Sequence, residues 1–148
     1  MTEDLRYPVG KWTRDSTLDA AGRAACVDAI AAMPAALAAA VAGLNDTHLD
    51  TPYREGGWSP RQIVHHLADS HMNAYTRFKL GLTEDNPTIK PYDEAAWAET
   101  ADNNTPVALS LGIVDGVHQR LVALLKTVEP AQFDRTIQHP ERGPMTLT

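Results

Sequence analysis

The chain has 148 residues and a mass of 16.1 kDa, the size of one domain with room for a core. Hydrophobic residues make up 43% and charged residues 22%, which excludes wholesale disorder, and 19 Asp plus Glu against 13 Lys plus Arg give a net charge of −6 with no basic cluster, which argues against a nucleic-acid or anionic-membrane surface. The single cysteine, Cys26, excludes a disulfide framework and fits a cytoplasmic location.

Residues 1–15 hold Pro8, Gly10 and mixed charges without a period. They read as an irregular arm, with no apolar stretch of the kind a secretory leader needs. Between Ala20 and Gly43, thirteen of 24 residues are Ala, the strongest helix former. Val27, Ile30, Pro34, Leu37, Val41 and Leu44 follow at steps of three and four, a helix seam that faces a core. Pro34 should kink this helix near Ile30. The longest apolar run, Ala29 to Leu44, is Ala-rich and interrupted by Pro34. It falls short of the roughly 20 strongly apolar residues of a membrane span, so the chain reads as soluble.

Asn45 to Gly57 is dense in turn formers. After Trp58, Ser59-Pro60-Arg61-Gln62 supplies an N-cap, a proline at the first helical position and the glutamine of a capping box. The helix should run to Leu80 and stop at Gly81, with Ile63, Leu67, Ala74 and Phe78 as its apolar face and Ser70 and His71 on the same side. Asn86 to Pro91 reads as a loop, Tyr92 to Thr100 as a short helix and Ala101 to Asn104 as a loop. Thr105-Pro106 repeats the cap-then-proline signal. The helix after it carries Val107, Leu111, Val114, His118, Leu121, Leu125 and Val128 at alternating steps of four and three. No alternating strand stands out. The fold class is therefore all-α, an antiparallel bundle in a single domain, 1–148. A weak internal echo pairs NDTHLD, a turn and WSP with EPAQFD, a turn containing ERGP and MTLT. It predicts a fourth helix beginning at Thr146 or Thr148.

Neutral imidazole is the commonest metal donor, so the six histidines are the first place to look for chemistry. No two lie four apart on one helix. With Ile63 at zero on the wheel and the apolar residues centred near 30°, His65 falls at about 200° and His66 at about 300°, using ~100° per residue. His65 reads as surface. His66 heads a polar stripe along the core edge, followed by Ser70, Asn73 and Arg77. His71 reads as a hydrogen-bonded core-edge histidine, His118 as a structural core histidine, and His48 and His139 as solvated turn residues. Phosphate-loop, dinucleotide and nucleophile-elbow motifs do not occur. Cys26 reads as a packing residue.

The run LDTPYREGGWSPRQIVHHLADSHMNAYTRFKLGLTE, Leu49 to Glu84, resembles the DinB/YfiT family of metal-binding four-helix proteins. The arm LRYPVGKW and the later PYDEAAWAET are similar to its YfiT branch. The resemblance implies a four-helix bundle that here lacks most or all of its last helix. It implies a divalent metal, zinc or nickel, held by three histidines. One matches His66, in His65-His66-Leu67. The other two belong to an H-x-x-x-H pair on the last helix, which this sequence does not contain and which is expected after Thr148. The implied activity is thiol S-transfer of the bacillithiol type, in which the metal stabilises a thiolate that attacks an electrophile. The alternatives are metal-dependent hydrolysis and a non-catalytic binding or dimerisation domain. The implied partners are a small-molecule thiol, an electrophilic substrate and a second copy of the chain. Ser70, Asn73 and Arg77 are the candidate substrate-binding residues.

Overall fold

The computed structural model describes residues 5–7, 10, 11, 13 and 18–148, so most of the expected irregular arm lies outside the described residues. Three long helices dominate: α1 (Ala20–Val41), α3 (Pro60–Thr83) and α5 (Val107–Leu125). Two short helices, α2 (Asp46–Asp50) and α4 (Glu94–Ala98), and 3-10 turns at Ala101–Asn104 and Pro130–Asp134 fill the connections. The all-α reading holds, with one small exception at the end of the described chain.

Each long helix begins for a local reason. Asp19 caps α1, its carboxylate accepting from the Gly22 N–H at 2.8 Å. Ser59 and Gln62 form the expected capping box, and Pro60 stands at the first helical position of α3. α5 departs from expectation. Thr105 does not cap it, because its hydroxyl donates back to the Asp102 carbonyl at 2.6 Å. Asn45 to Gly57, expected as turn alone, contains α2, capped by the Asn45 side chain.

α5 is the central wall, packed on α3 and on α1. Val64 of α3 and Val114 of α5 are the most deeply buried large side chains, at 1% and 0% exposure, each burial contributing roughly 1.5–3 kcal/mol. The buried side of α3 is Arg61, Val64, His65 and Ala68, not the Ile63, Leu67, Ala74 and Phe78 face expected from the wheel, which is half-buried or exposed. The wheel was centred on the large aliphatic residues, whereas α3 turns its smaller Val64 and Ala68 to α5 for a close approach.

Pro34 lies inside α1 and deprives the Ile30 carbonyl of its usual intrahelical donor. That carbonyl instead accepts from His118 Nδ1 of α5 at 2.6 Å. α1 and α5 are long and apolar enough to cross a membrane by length and composition. The uninterrupted-run criterion missed this because Ala carries most of the hydropathy of α1. In α5 the apolar residues are the core seam, with Ser110 and His118 buried among them.

The stretch expected as a turn containing ERGP is in the structure an antiparallel hairpin: β1 (Thr136–His139) pairs with β2 (Gly143–Thr146), Ile137 opposite Met145 and His139 opposite Gly143. Gly143, at φ +76, makes the turn possible. β1 also joins the 87–89 segment, with Gln138 N–H donating to the Pro87 carbonyl and Ile89 N–H to the Gln138 carbonyl. The hairpin sits on the C-terminal end of α3. A Cβ on Gly81 would fall 2.7 Å from Leu147 Cδ2, so this glycine is inside the helix, where the hairpin presses on it, rather than a stop. Arg135 then closes the helix end, donating to the carbonyls of Gly81 and Glu84 at 2.6 Å each.

Candidate functional site

Two adjacent histidines on α3 have opposite surroundings. His65 is 6% exposed. Its Nε2 lies 3.1 Å from the Thr105 carbonyl, which can only accept, so Nε2 carries the proton and Nδ1 accepts from the Ser110 hydroxyl at 2.7 Å. His65 is thus a structural bolt between α3 and α5, not the surface residue expected. His66 is half-buried, its ring edge-on to Trp58 at a centroid separation of 4.8 Å. Neither of its ring nitrogens has a hydrogen-bond partner among the described residues. Trp58 stands just ahead of the Ser59 cap, so the capping box that starts α3 also fixes the aromatic surface against which His66 rests.

His71 and His118 are joined to each other. His118 Nδ1 must be protonated to donate to Ile30, so its Nε2 accepts from His71 Nδ1–H at 2.7 Å. Burial, with His118 and His66 nearby, holds the His71 imidazole below its ordinary range and keeps it neutral. His139, expected as a solvated turn residue, is buried in β1 and accepts the Glu141 N–H at Nδ1. His48 is exposed on α2.

Down α3 from His66, the stripe divides. Ser70 and Arg77 line a cavity of about 320 Å³, closed by Ile89 to Glu94 on one side and the hairpin on the other. Asn73 does not join them, because its amide donates to the Asp69 carbonyl of its own helix at 2.9 Å. Tyr92, His139 and Arg142 complete the polar wall of the cavity. Tyr92 and Arg142 were not singled out in the sequence, and His139 was read there as a solvated turn residue, since each comes from a loop or strand that periodicity does not place. Asp69, one turn beyond His66, was missed too. Partial burial and the Asp102 carboxylate push its carboxyl up, while the neighbouring His66 and His65 pull it down.

A metal centre needs more donors than this. Among the described residues no group of three or more His, Cys, Asp or Glu is placed to hold an ion, and His66 alone supplies one imidazole. The described residues therefore do not fit a complete metal site by themselves.

Comparison with known proteins identifies the fold and gives the relatives. A "Putative metal-dependent hydrolase" of Bacillus mycoides strain KBAB4 is 49% identical over 145 residues, covering 98% of this chain and 84% of that protein. A protein of the same printed name from Oceanobacillus iheyensis is 44% identical over 142 residues, covering 96% of this chain and 83% of that one. The solved structure of YfiT from Bacillus subtilis, described as "a probable metal-dependent hydrolase with an unusual four-helix bundle topology", superimposes with a TM-score of 0.91 at 44% identity over 95% of this chain and 81% of that one. The family model described as DinB superfamily matches residues 29–148, and the chain belongs to that superfamily.

Proposed function

We propose that this protein is a divalent-metal-dependent enzyme of the DinB superfamily in which His66 is one metal donor and the reaction is transfer of a small-molecule thiol to an electrophile. The observation that carries the reading is the pair of unpartnered ring nitrogens on His66, against His65 and His118, whose two nitrogens are both engaged, and His71, which has one engaged. A half-buried imidazole left free beside an aromatic wall is available as a ligand in a way that the others are not. The names of the relatives support the metal. The reading requires further donors beyond the described residues, and imidazole donors suit zinc or nickel.

What this chain's own residues do is positional. Trp58 limits rotation of the His66 ring. Ser70 and Arg77 lie on the same side of α3 and hold the substrate in the adjoining cavity. We place the enzyme in the cytoplasm, where an exposed thiol such as Cys26 stays reduced, and infer that it works as a homodimer.

Hydrolysis is the second reading, favoured by the relatives' printed names. Titration of the full-length protein with zinc or nickel should reveal one bound equivalent, lost in His66→Ala and retained in Asn73→Ala. Uptake unaffected by His66→Ala would sink the metal role. Incubation of the loaded enzyme with a low-molecular-weight thiol and a chromogenic aryl halide should yield the thioether. Turnover that does not need the thiol would select hydrolysis.

A further inference from the structure

The cavity between α3, residues 89–94 and the hairpin has a chemical bias that the metal reading does not use. Arg77 Nε and the Tyr92 hydroxyl are buried there without a hydrogen-bond partner. Ser70 lies close enough to the phenol to lower its pKa somewhat against the effect of burial. His139 accepts at Nδ1 from the Glu141 N–H, so in its neutral form the proton is on Nε2, which has no partner among the described residues. Arg142, exposed at the mouth, makes no ion pair among the described residues. Buried polar groups in folded proteins are nearly always satisfied. Here Arg77 Nε can only donate, and the Tyr92 hydroxyl and His139 Nε2–H can each donate as well.

We propose that this cavity binds the carboxylate of a small organic monoanion, with Arg77 Nε, the Tyr92 hydroxyl, His139 Nε2–H and the Arg142 guanidinium as its donors. Charge-assisted donation to a carboxylate is the strongest use of such a set. Burial keeps the Tyr92 phenol protonated by pushing its pKa up, so it stays a donor at neutral pH. Glu94 and Glu141 also line the cavity and offset the two arginines. That balance tolerates one negative charge and disfavours a phosphate dianion. About 320 Å³ accommodates a molecule of several heavy atoms. Ser70, on the cavity wall, is one turn from His66, about 6 Å along the helix, so a ligand anchored by its carboxylate extends toward His66.

The proposal shares the α3 stripe with the metal function but does not depend on the metal. The probes are N-acetylglycine, its neutral amide N-acetylglycinamide, and inorganic phosphate, titrated by calorimetry and by protein NMR shifts. N-acetylglycine should bind saturably at millimolar concentration. The amide should bind about tenfold more weakly or worse, and Tyr92→Phe and Arg142→Gln should each weaken N-acetylglycine by a similar factor. Both substitutions are mild, and circular dichroism checks that the fold is kept. N-acetylglycine binding is measured with no metal added, so a failed metal site and a failed carboxylate site give different results. No saturable binding, equal binding of the amide, tighter binding of phosphate, or indifference to both variants would overturn the proposal.

Discussion

At the scale of single residues, the neighbours His65 and His66 make the sharpest contrast. Removing His65 leaves the Thr105 carbonyl and the Ser110 hydroxyl without their partner inside the α3–α5 contact. An unsatisfied buried group costs about 1–3 kcal/mol. His65→Ala should therefore lower stability by about 2–4 kcal/mol in urea unfolding, two groups being orphaned and a ring removed. His66→Ala breaks no hydrogen bond and should shift stability by under about 1 kcal/mol. Equal losses in the two variants would mean that His66 is also structural. The sequence distinguished the two histidines but exchanged part of their character. The apolar wheel treats one face as buried, and that places His65 on the far side. In the fold α3 is enclosed on more than one flank, and Ser110, invisible to a wheel drawn for α3 alone, is what makes a buried imidazole tolerable. Arg61 teaches the same lesson. It is 8% exposed, yet Asp46, Asp50 and the Thr105 carbonyl surround its guanidinium, with Nε 2.6 Å from Asp50. Only the placement of α2 brings those carboxylates within reach.

At the scale of elements, a run of hydrogen bonds crosses all three long helices, from His71 on α3 to His118 on α5 to the Ile30 carbonyl on α1. Pro34 creates its end point. In Pro34→Ala the new N–H competes for Ile30, so the bond from His118 loses value. Substituting His118→Phe should then cost about 1 kcal/mol less in the Pro34→Ala background than in the parent, as read by a double-mutant cycle. Additive effects would show that proline and histidine act independently. The same run predicts a pH response. His71 has a folded pKa below its ordinary value of 6.5. The unfolded chain therefore binds more protons just below that pH, and stability is full above it and declines as the pH falls through it. The decline is bounded by about 1.4 kcal/mol per pH unit for one proton. Unfolding free energies between about pH 7 and 5.5 should show it, and His71→Gln should flatten it. Asp69, whose raised carboxyl pKa acts in the opposite sense, belongs to lower pH. These long elements were legible because capping chemistry and 3.6-residue periodicity extend over many residues. The hairpin was not. Four-residue strands offer two alternations at most, and what holds β1 is its pairing with 87–89 and the anchoring of Arg135 on α3, both long-range.

At the scale of the whole molecule, stability is unevenly distributed. α3 and α5 each bury several residues, polar ones included. α1 is 22 residues long and buries none fully, and its main partner is α5 alone. Its small Ala side chains give helix propensity but little apolar area to remove from water. Its residues Val27, Ile30 and Leu37 are half-buried, and Val27 and Ile30 line an apolar cavity of about 260 Å³ shared with α3, α5 and Leu147. Local opening energies follow the density of such contacts. Amides in α1 should therefore exchange with solvent through a partial opening that leaves α3 and α5 closed, at a free energy below that of global unfolding. Native-state hydrogen exchange in low denaturant separates the cases. Amides of Ala31 to Ala40 should form a group with lower opening energy and smaller denaturant dependence than those of Val64 to Ala68 and Val114 to His118. If the three sets merge at one opening energy, α1 is part of the same cooperative unit, and the His118–Ile30 link and the half-buried seam suffice to hold it there.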